Sequence, residues 1–115
     1  PYSPGCGSVT EIAQAEELGV EIVKVFPGSE VGGPKFVKAV LGPCPWTRIM
    51  PTGGVDATRA SLEGWFKAGV AAVGAGSNLI TKELVAAKDW DGMAAKVAQS
   101  IAWIQEIRAE MAAAK

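Results

Sequence analysis

A single lysine stands inside an otherwise apolar, β-branched run, Ile22-Val23-Lys24-Val25-Phe26, and Pro27-Gly28 follows at once. An ammonium pointing inward from such a run without a partner carries a large desolvation cost, which favours the neutral amine. A neutral amine is the nucleophile that forms a Schiff base with a carbonyl substrate, so Lys24 is a candidate catalytic residue. Periodicity alone also fits a strand lysine whose head reaches solvent at the strand end or pairs with an acid. Two later turns suggest a second chemistry. In Thr52-Gly53-Gly54 the glycines let backbone N–H groups approach an anion closely, and the threonine hydroxyl adds a donor. Gly74-Ala75-Gly76-Ser77 is a turn of the same kind. Each could be a tight strand-to-helix turn with no ligand; the two together point more strongly to an anion site than either alone.

Other chemistries are narrowed by composition. The chain has 115 residues and no histidine, so acid–base work falls to Lys, Glu, Asp, Tyr or water. Its two cysteines, Cys6 and Cys44, lie far apart and lack a Cys-x-x-Cys spacing, so no metal site is expected. They read as free thiols of a reducing cytoplasm. The net charge of −1, with basic residues scattered among acids, offers no field for a nucleic-acid backbone or an anionic membrane. Apolar runs such as Val70-Ala71-Ala72-Val73 fall well short of the ~20 residues of a membrane span. The four tryptophans, Trp46, Trp65, Trp90 and Trp103, lie in no basic stacking surface and are assigned to packing or subunit contacts. Ser29, Glu30 and Lys35 receive no role.

The elements that would position Lys24 and the turns follow from periodicity. Ser8 or Thr10 caps a helix with apolar positions Val9, Ile12, Ala13, Ala15 and Leu18, stopped by Gly19. A strand over Val20–Phe26 is apolar enough to be buried on both faces of a parallel sheet. Pro34 starts a helix running to Leu41. A short strand, Arg48–Met50, leads into the first glycine turn. A helix over Thr58–Lys67 and a strand over Val70–Val73 lead to the second. Met93, Val97, Ile101, Ile104 and Met111 make one stripe of a long helix over Asp91–Met111, beyond which the chain frays. This alternation predicts an α/β fold with a parallel sheet. Consecutive strands ending in phosphate-type turns, together with a following helix N-terminus, match strands 7 and 8 of a (β/α)8 TIM barrel. Such barrels need roughly 200–250 residues. Residues 1–115 therefore read as the C-terminal half of one domain, about strands 5–8, beginning mid-fold, with the N-terminal half missing or supplied by a complementing chain.

Taken together, Val23-Lys24-Val25-Phe26-Pro27-Gly28, Gly33-Pro34-Lys35-Phe36-Val37-Lys38-Ala39, Pro51-Thr52-Gly53-Gly54-Val55, Trp65-Phe66-Lys67-Ala68-Gly69 and Gly74 to Ser77 closely resemble a known family. The chain resembles the 2-keto-3-deoxy-6-phosphogluconate/4-hydroxy-2-oxoglutarate aldolases along nearly its whole length, from Pro4-Gly5 onward. The resemblance implies a class I aldolase that needs neither cofactor nor metal and acts on a small keto acid or a phosphorylated sugar acid. It implies that Lys24 forms the imine, that Thr52 helps hold the pyruvyl carboxylate, and that Phe26 and Pro27 wall the site. Gly53, Gly54, Gly76 and Ser77 would cradle the distal phosphate or carboxylate. The family pattern also includes a glutamate acid/base and a carboxylate-binding arginine on early strands, positions without a counterpart in residues 1–115. It implies a homo-oligomer, usually a trimer. Two other readings of the residues stand beside it: a non-catalytic half-barrel that assembles through its open sheet edges, and another phosphate-binding barrel enzyme that needs no imine-forming lysine.

Overall fold

The computed structural model describes all of residues 1–115. The order of elements is β1 (Gly5–Cys6), α1 (Val9–Glu17), β2 (Val23–Val25), α2 (Gly33–Leu41), β3 (Ile49–Pro51), α3 (Arg59–Ala68), α4 (Lys82–Ala86) and α5 (Trp90–Ala113). The three strands form one parallel sheet in the order β1-β2-β3, with Gly5 paired to Lys24 and Lys24 to Met50. Each strand is followed by a helix that returns the chain to the start of the next, the connection a parallel pair requires. The α/β expectation therefore holds.

Strand alternation decides which face is covered. Cys6, Val23, Val25 and Ile49 are buried in one cluster with Ile12 and Ala15 of α1, Val37 and Val40 of α2, and Leu62, Trp65 and Phe66 of α3. The helices thus lie against the face carrying Val23 and Val25, and Lys24 projects from the other. Helix ends follow local chemistry. Ser8, not Thr10, caps α1, its hydroxyl accepting from the Glu11 amide while the Glu11 carboxylate reaches back to the Gly7 amide and the Ser8 hydroxyl. Thr58 caps α3, and Gly69 ends it in a left-handed conformation at φ 107°. The thiol of Cys6 is pushed above its usual range by burial first and by the Glu11 charge second, so it stays protonated.

Helix α5 clamps the outer side of α3. Ile107 is fully buried, Arg108 lies over the Phe66 ring at 5.0 Å from its centroid, and the same guanidinium donates to the Ala71 carbonyl at 2.8 Å. Arg59 bridges Glu63 on its own helix and Glu110 on α5 at 3.0 and 2.6 Å. Lys67 also bonds Glu63, and that hydrogen bond, then the Lys67 charge, holds the Glu63 carboxyl below its usual range. These pairs are exposed and add little individually.

Several expected elements are corrected. The strand expected over Val20–Phe26 is regular only at Val23–Val25, because β1 and β3 are too short to pair with more of it. Val70–Val73 forms no strand. It tracks β3 through bonds from the Ala71 and Gly74 amides to the Ile49 and Pro51 carbonyls, with one parallel bridge between Thr52 and Gly74. Val9 and Leu18, expected on the apolar stripe of α1, are 49% and 86% exposed, since only the middle of that helix reaches the sheet. On α5 the buried stripe runs through Ser100 and Ile107, and Ile101 is half exposed. The helix continues to Ala113, past the fraying expected after Met111. The short α4, with no buried residue, was not anticipated.

Candidate functional site

The helix-free face of the sheet is built by alternation. Lys24 lies on it between Gly5 and Met50, its Cα partners. Gly5 has no side chain, and a Cβ there would make ordinary contact with the Phe26 Cβ at 3.6 Å. Phe26, two residues on, takes the same face, and the Lys24 ammonium sits 5.1 Å from the centroid of its ring. On β3 the matching step runs from Met50 to Thr52, which is only partly buried while Ile49 and Pro51 are buried. Lys24, Phe26 and Thr52 therefore share one face at the C-terminal ends of the strands. The Phe26-Pro27 peptide is cis, and Phe26 itself is half exposed. No closed pocket surrounds Lys24 within residues 1–115: its face carries no helix, and the lysine is half-buried.

The two glycine turns meet above this face. The Gly28 amide donates to the Thr52 carbonyl at 2.8 Å and the Ser29 amide to the Gly53 carbonyl at 3.1 Å, which fastens the loop after β2 to the first turn. A Cβ on Gly28 would stand 2.6 Å from the Gly53 carbonyl oxygen, so only glycine permits that approach. The second turn joins through the Thr52–Gly74 bridge, with no room for a side chain at Gly74, where a Cβ would lie 2.5 Å from the Thr52 hydroxyl oxygen. Gly53 and Gly54 both have positive φ, 90° and 73°. Trp65 supports that turn from below, its indole N–H donating to the Gly54 carbonyl at 3.3 Å. This gives the buried Trp65 a packing role, whereas Trp46 and Trp90 are largely exposed.

The amides of Gly53, Gly54, Gly76 and Ser77 donate to no protein carbonyl or side chain. Four such N–H groups on two adjoining turns are what an anion cradle needs. The expected helix N-terminus beside Ser77 is absent. Residues 76 to 80 instead form one turn in which the Leu79 and Ile80 amides donate to the Gly76 carbonyl, and α4 starts only at Lys82. Gly76 and Ser77 are exposed. The structure thus brings Lys24, Phe26, Pro27, Thr52, Gly53 and Gly54 together, with Gly76 and Ser77 at the open edge. Ser29, given no role from sequence, anchors the first turn through its amide; nothing in its residue type signalled this. A cavity of about 630 Å³ lies at the opposite end of the sheet, among residues preceding β1 and β2, away from the turns.

Comparison with known proteins adds an independent line. Residues 1–96 match the family model described as KDPG and KHG aldolase. The chain is 34% identical over 91 residues to the 2-dehydro-3-deoxy-phosphogluconate aldolase of Haemophilus influenzae, covering 79% of this chain and 42% of that protein. It is 39% identical over 77 residues to the 2-dehydro-3-deoxy-6-phosphogalactonate aldolase of Escherichia coli, covering 66% and 36%. Among solved structures it resembles a KDPG aldolase from Legionella pneumophila holding pyruvate as a covalent carbinolamine intermediate, with TM-score 0.74 and 30% identity over 84% of this chain and 46% of that one. It also resembles a chain of a designed cage made by fusing symmetric oligomeric domains, with TM-score 0.77 and 28% identity over 95% and 38%. The chain spans less than half the length of these relatives.

Proposed function

Because this chain belongs to the KDPG and KHG aldolase family, we propose that it supplies the Schiff-base half of a class I aldolase. Its three parallel strands and the segment at Val70–Val73 correspond in this reading to strands 5–8 of a (β/α)8 barrel, and residues 1–115 to the C-terminal half of that single domain. The observation that carries the proposal is the common face of Lys24, Phe26 and Thr52, next to two turns that carry four unpartnered backbone amides.

In the reaction the Lys24 amine adds to the C2 carbonyl of the substrate to give a carbinolamine, and loss of water leaves a protonated imine. A base removes the proton of the C4 hydroxyl, the C3–C4 bond breaks, and its electron pair moves into the imine to form an enamine. The aldehyde departs. Protonation at C3 and hydrolysis of the imine then release pyruvate and restore the amine. Thr52 donates to the pyruvyl carboxylate, and Phe26 and Pro27 exclude water from the imine. Gly53, Gly54, Gly76 and Ser77 hold the distal phosphate or carboxylate. The base and a carboxylate-binding arginine come from the early strands of the barrel, which lie outside residues 1–115. Free access to the Lys24 face is consistent with that completion. The complete enzyme is a homo-oligomer, a trimer by family likeness. No helix is long and apolar enough to cross a membrane, and we place the enzyme in the cytoplasm.

The test is pyruvate release by the complete barrel from 2-keto-3-deoxy-6-phosphogluconate and from 4-hydroxy-2-oxoglutarate. We expect cleavage of one or both, undiminished after exhaustive chelation, because the protonated imine is the electron sink. Loss of turnover on chelation, restored by a divalent metal, would rule out the imine route.

A further inference from the structure

A polar pair outside the residues assigned above links the exits of the two glycine turns. The Asn78 side-chain amide donates to Asp56 Oδ1 at 2.5 Å across 22 residues of sequence. Asp56 follows the Thr52-Gly53-Gly54-Val55 turn directly, and Asn78 follows Ser77. The Asp56 end is anchored: its backbone amide donates to the Ser61 hydroxyl at 3.0 Å, and the Ser61 amide donates to the hydroxyl of the α3 cap Thr58 at 3.3 Å. The Asn78 end has no comparable anchor. The loop from Gly76 to Ile80 closes only on the Gly76 carbonyl, and no Cβ neighbour constrains Gly76.

We propose that Asp56 and Asn78 are positioning residues forming a latch that holds the Gly76-Ser77 amides toward the Gly53-Gly54 amides, and so sets affinity for a substrate's distal phosphate. The proposal rests on the anion-site reading of the two turns. The latch acts through the turn and touches neither the imine nor the pyruvyl carboxylate, so it separates distal-anion binding from the chemical step. Its carboxylate brings a negative charge close to an anion site. A residue acting only through charge would therefore weaken phosphate binding, whereas a latch strengthens it by holding the turn.

The experiment titrates the isotope-labelled protein with inorganic phosphate and follows the amide signals of Gly53, Gly54, Gly76 and Ser77 in wild type, Asn78→Ala, Asp56→Ala and Asp56→Asn. Asn78→Ala is expected to weaken phosphate binding about three- to tenfold, the worth of one hydrogen bond. Asp56→Ala is expected to weaken it despite losing a negative charge, while Asp56→Asn keeps an acceptor oxygen and binds at least as tightly as wild type. Both residues are exposed, so melting temperatures should not move. Tighter binding by Asp56→Ala, unchanged binding by Asn78→Ala, or an affinity loss that tracks a fall in melting temperature would each overturn the latch alone. Wild-type amides that do not respond to phosphate would remove the anion site, and the latch with it.

Discussion

Lys24→Met is expected to abolish pyruvate release from the complete barrel, lowering kcat by roughly 10⁴-fold or more, as removal of a covalent nucleophile does. Methionine fills the space of the lysine stem and gives up only the ammonium's contact with the ring of the half-exposed Phe26, worth about 0.5–1 kcal/mol at an exposed site. No ion pair is lost, because Lys24 takes part in none of the salt bridges. The melting temperature should therefore change little while activity vanishes. Lys24→Arg should be equally inactive, since a guanidinium stays protonated and cannot add to a carbonyl. Turnover by Lys24→Met comparable to wild type would instead favour a phosphate-binding barrel enzyme that uses no imine.

The second large effect is expected at Gly28. A methyl group there meets the Gly53 carbonyl oxygen at 2.6 Å, the Thr52 carbonyl oxygen at 3.2 Å and the Trp65 ring at 3.3 Å. Two of these are backbone and the third is a buried indole, so none can yield as the end of a flexible side chain would. The loop carrying Phe26 and Pro27 must move away from the Thr52-Gly53 turn, and the 2.8 Å bond from the Gly28 amide lengthens. Gly28→Ala should destabilise the protein by about 1–3 kcal/mol, a fall of roughly 5–15 °C in melting temperature for a domain of this size. Phosphate binding at Gly53 and Gly54 should weaken with it. Gly76→Ala is the control: nothing lies within 4 Å of its Cβ position, so stability should be unchanged. Thermal melts of the two variants, with a phosphate titration, check both statements. A Gly28→Ala protein as stable as wild type would mean that the close approach of the two loops does not exist in solution.

Much of the site could be read from residue types because its parts are unusual where they stand. A lysine between valines is conspicuous, and strand alternation alone places it opposite Val23 and Val25 once those two are known to be buried. Thr52-Gly53-Gly54 likewise announces a turn that only glycine can make, and both glycines have positive φ. What stayed hidden depends on contacts between distant segments. Val70–Val73 is as apolar as a strand, yet whether it pairs depends on the length of β3, which its own sequence does not encode. The tie between Asp56 and Asn78 joins two exposed polar residues 22 positions apart, and such residues are ordinarily solvated. Helix α4 buries nothing, so hydrophobic periodicity could not reveal it. Nor does an apolar run distinguish burial on one face of a sheet from burial on both, and within residues 1–115 the face bearing Lys24 has no helix against it.

Aldol cleavage by this chain requires that the Lys24 amine form an imine with a keto acid. The direct measurement is to incubate the complete barrel with pyruvate, reduce with borohydride, and locate the adduct by peptide mass. We expect a single reduced pyruvyl adduct, on Lys24 and on no other lysine. An adduct on a different residue, or none at all, would contradict it.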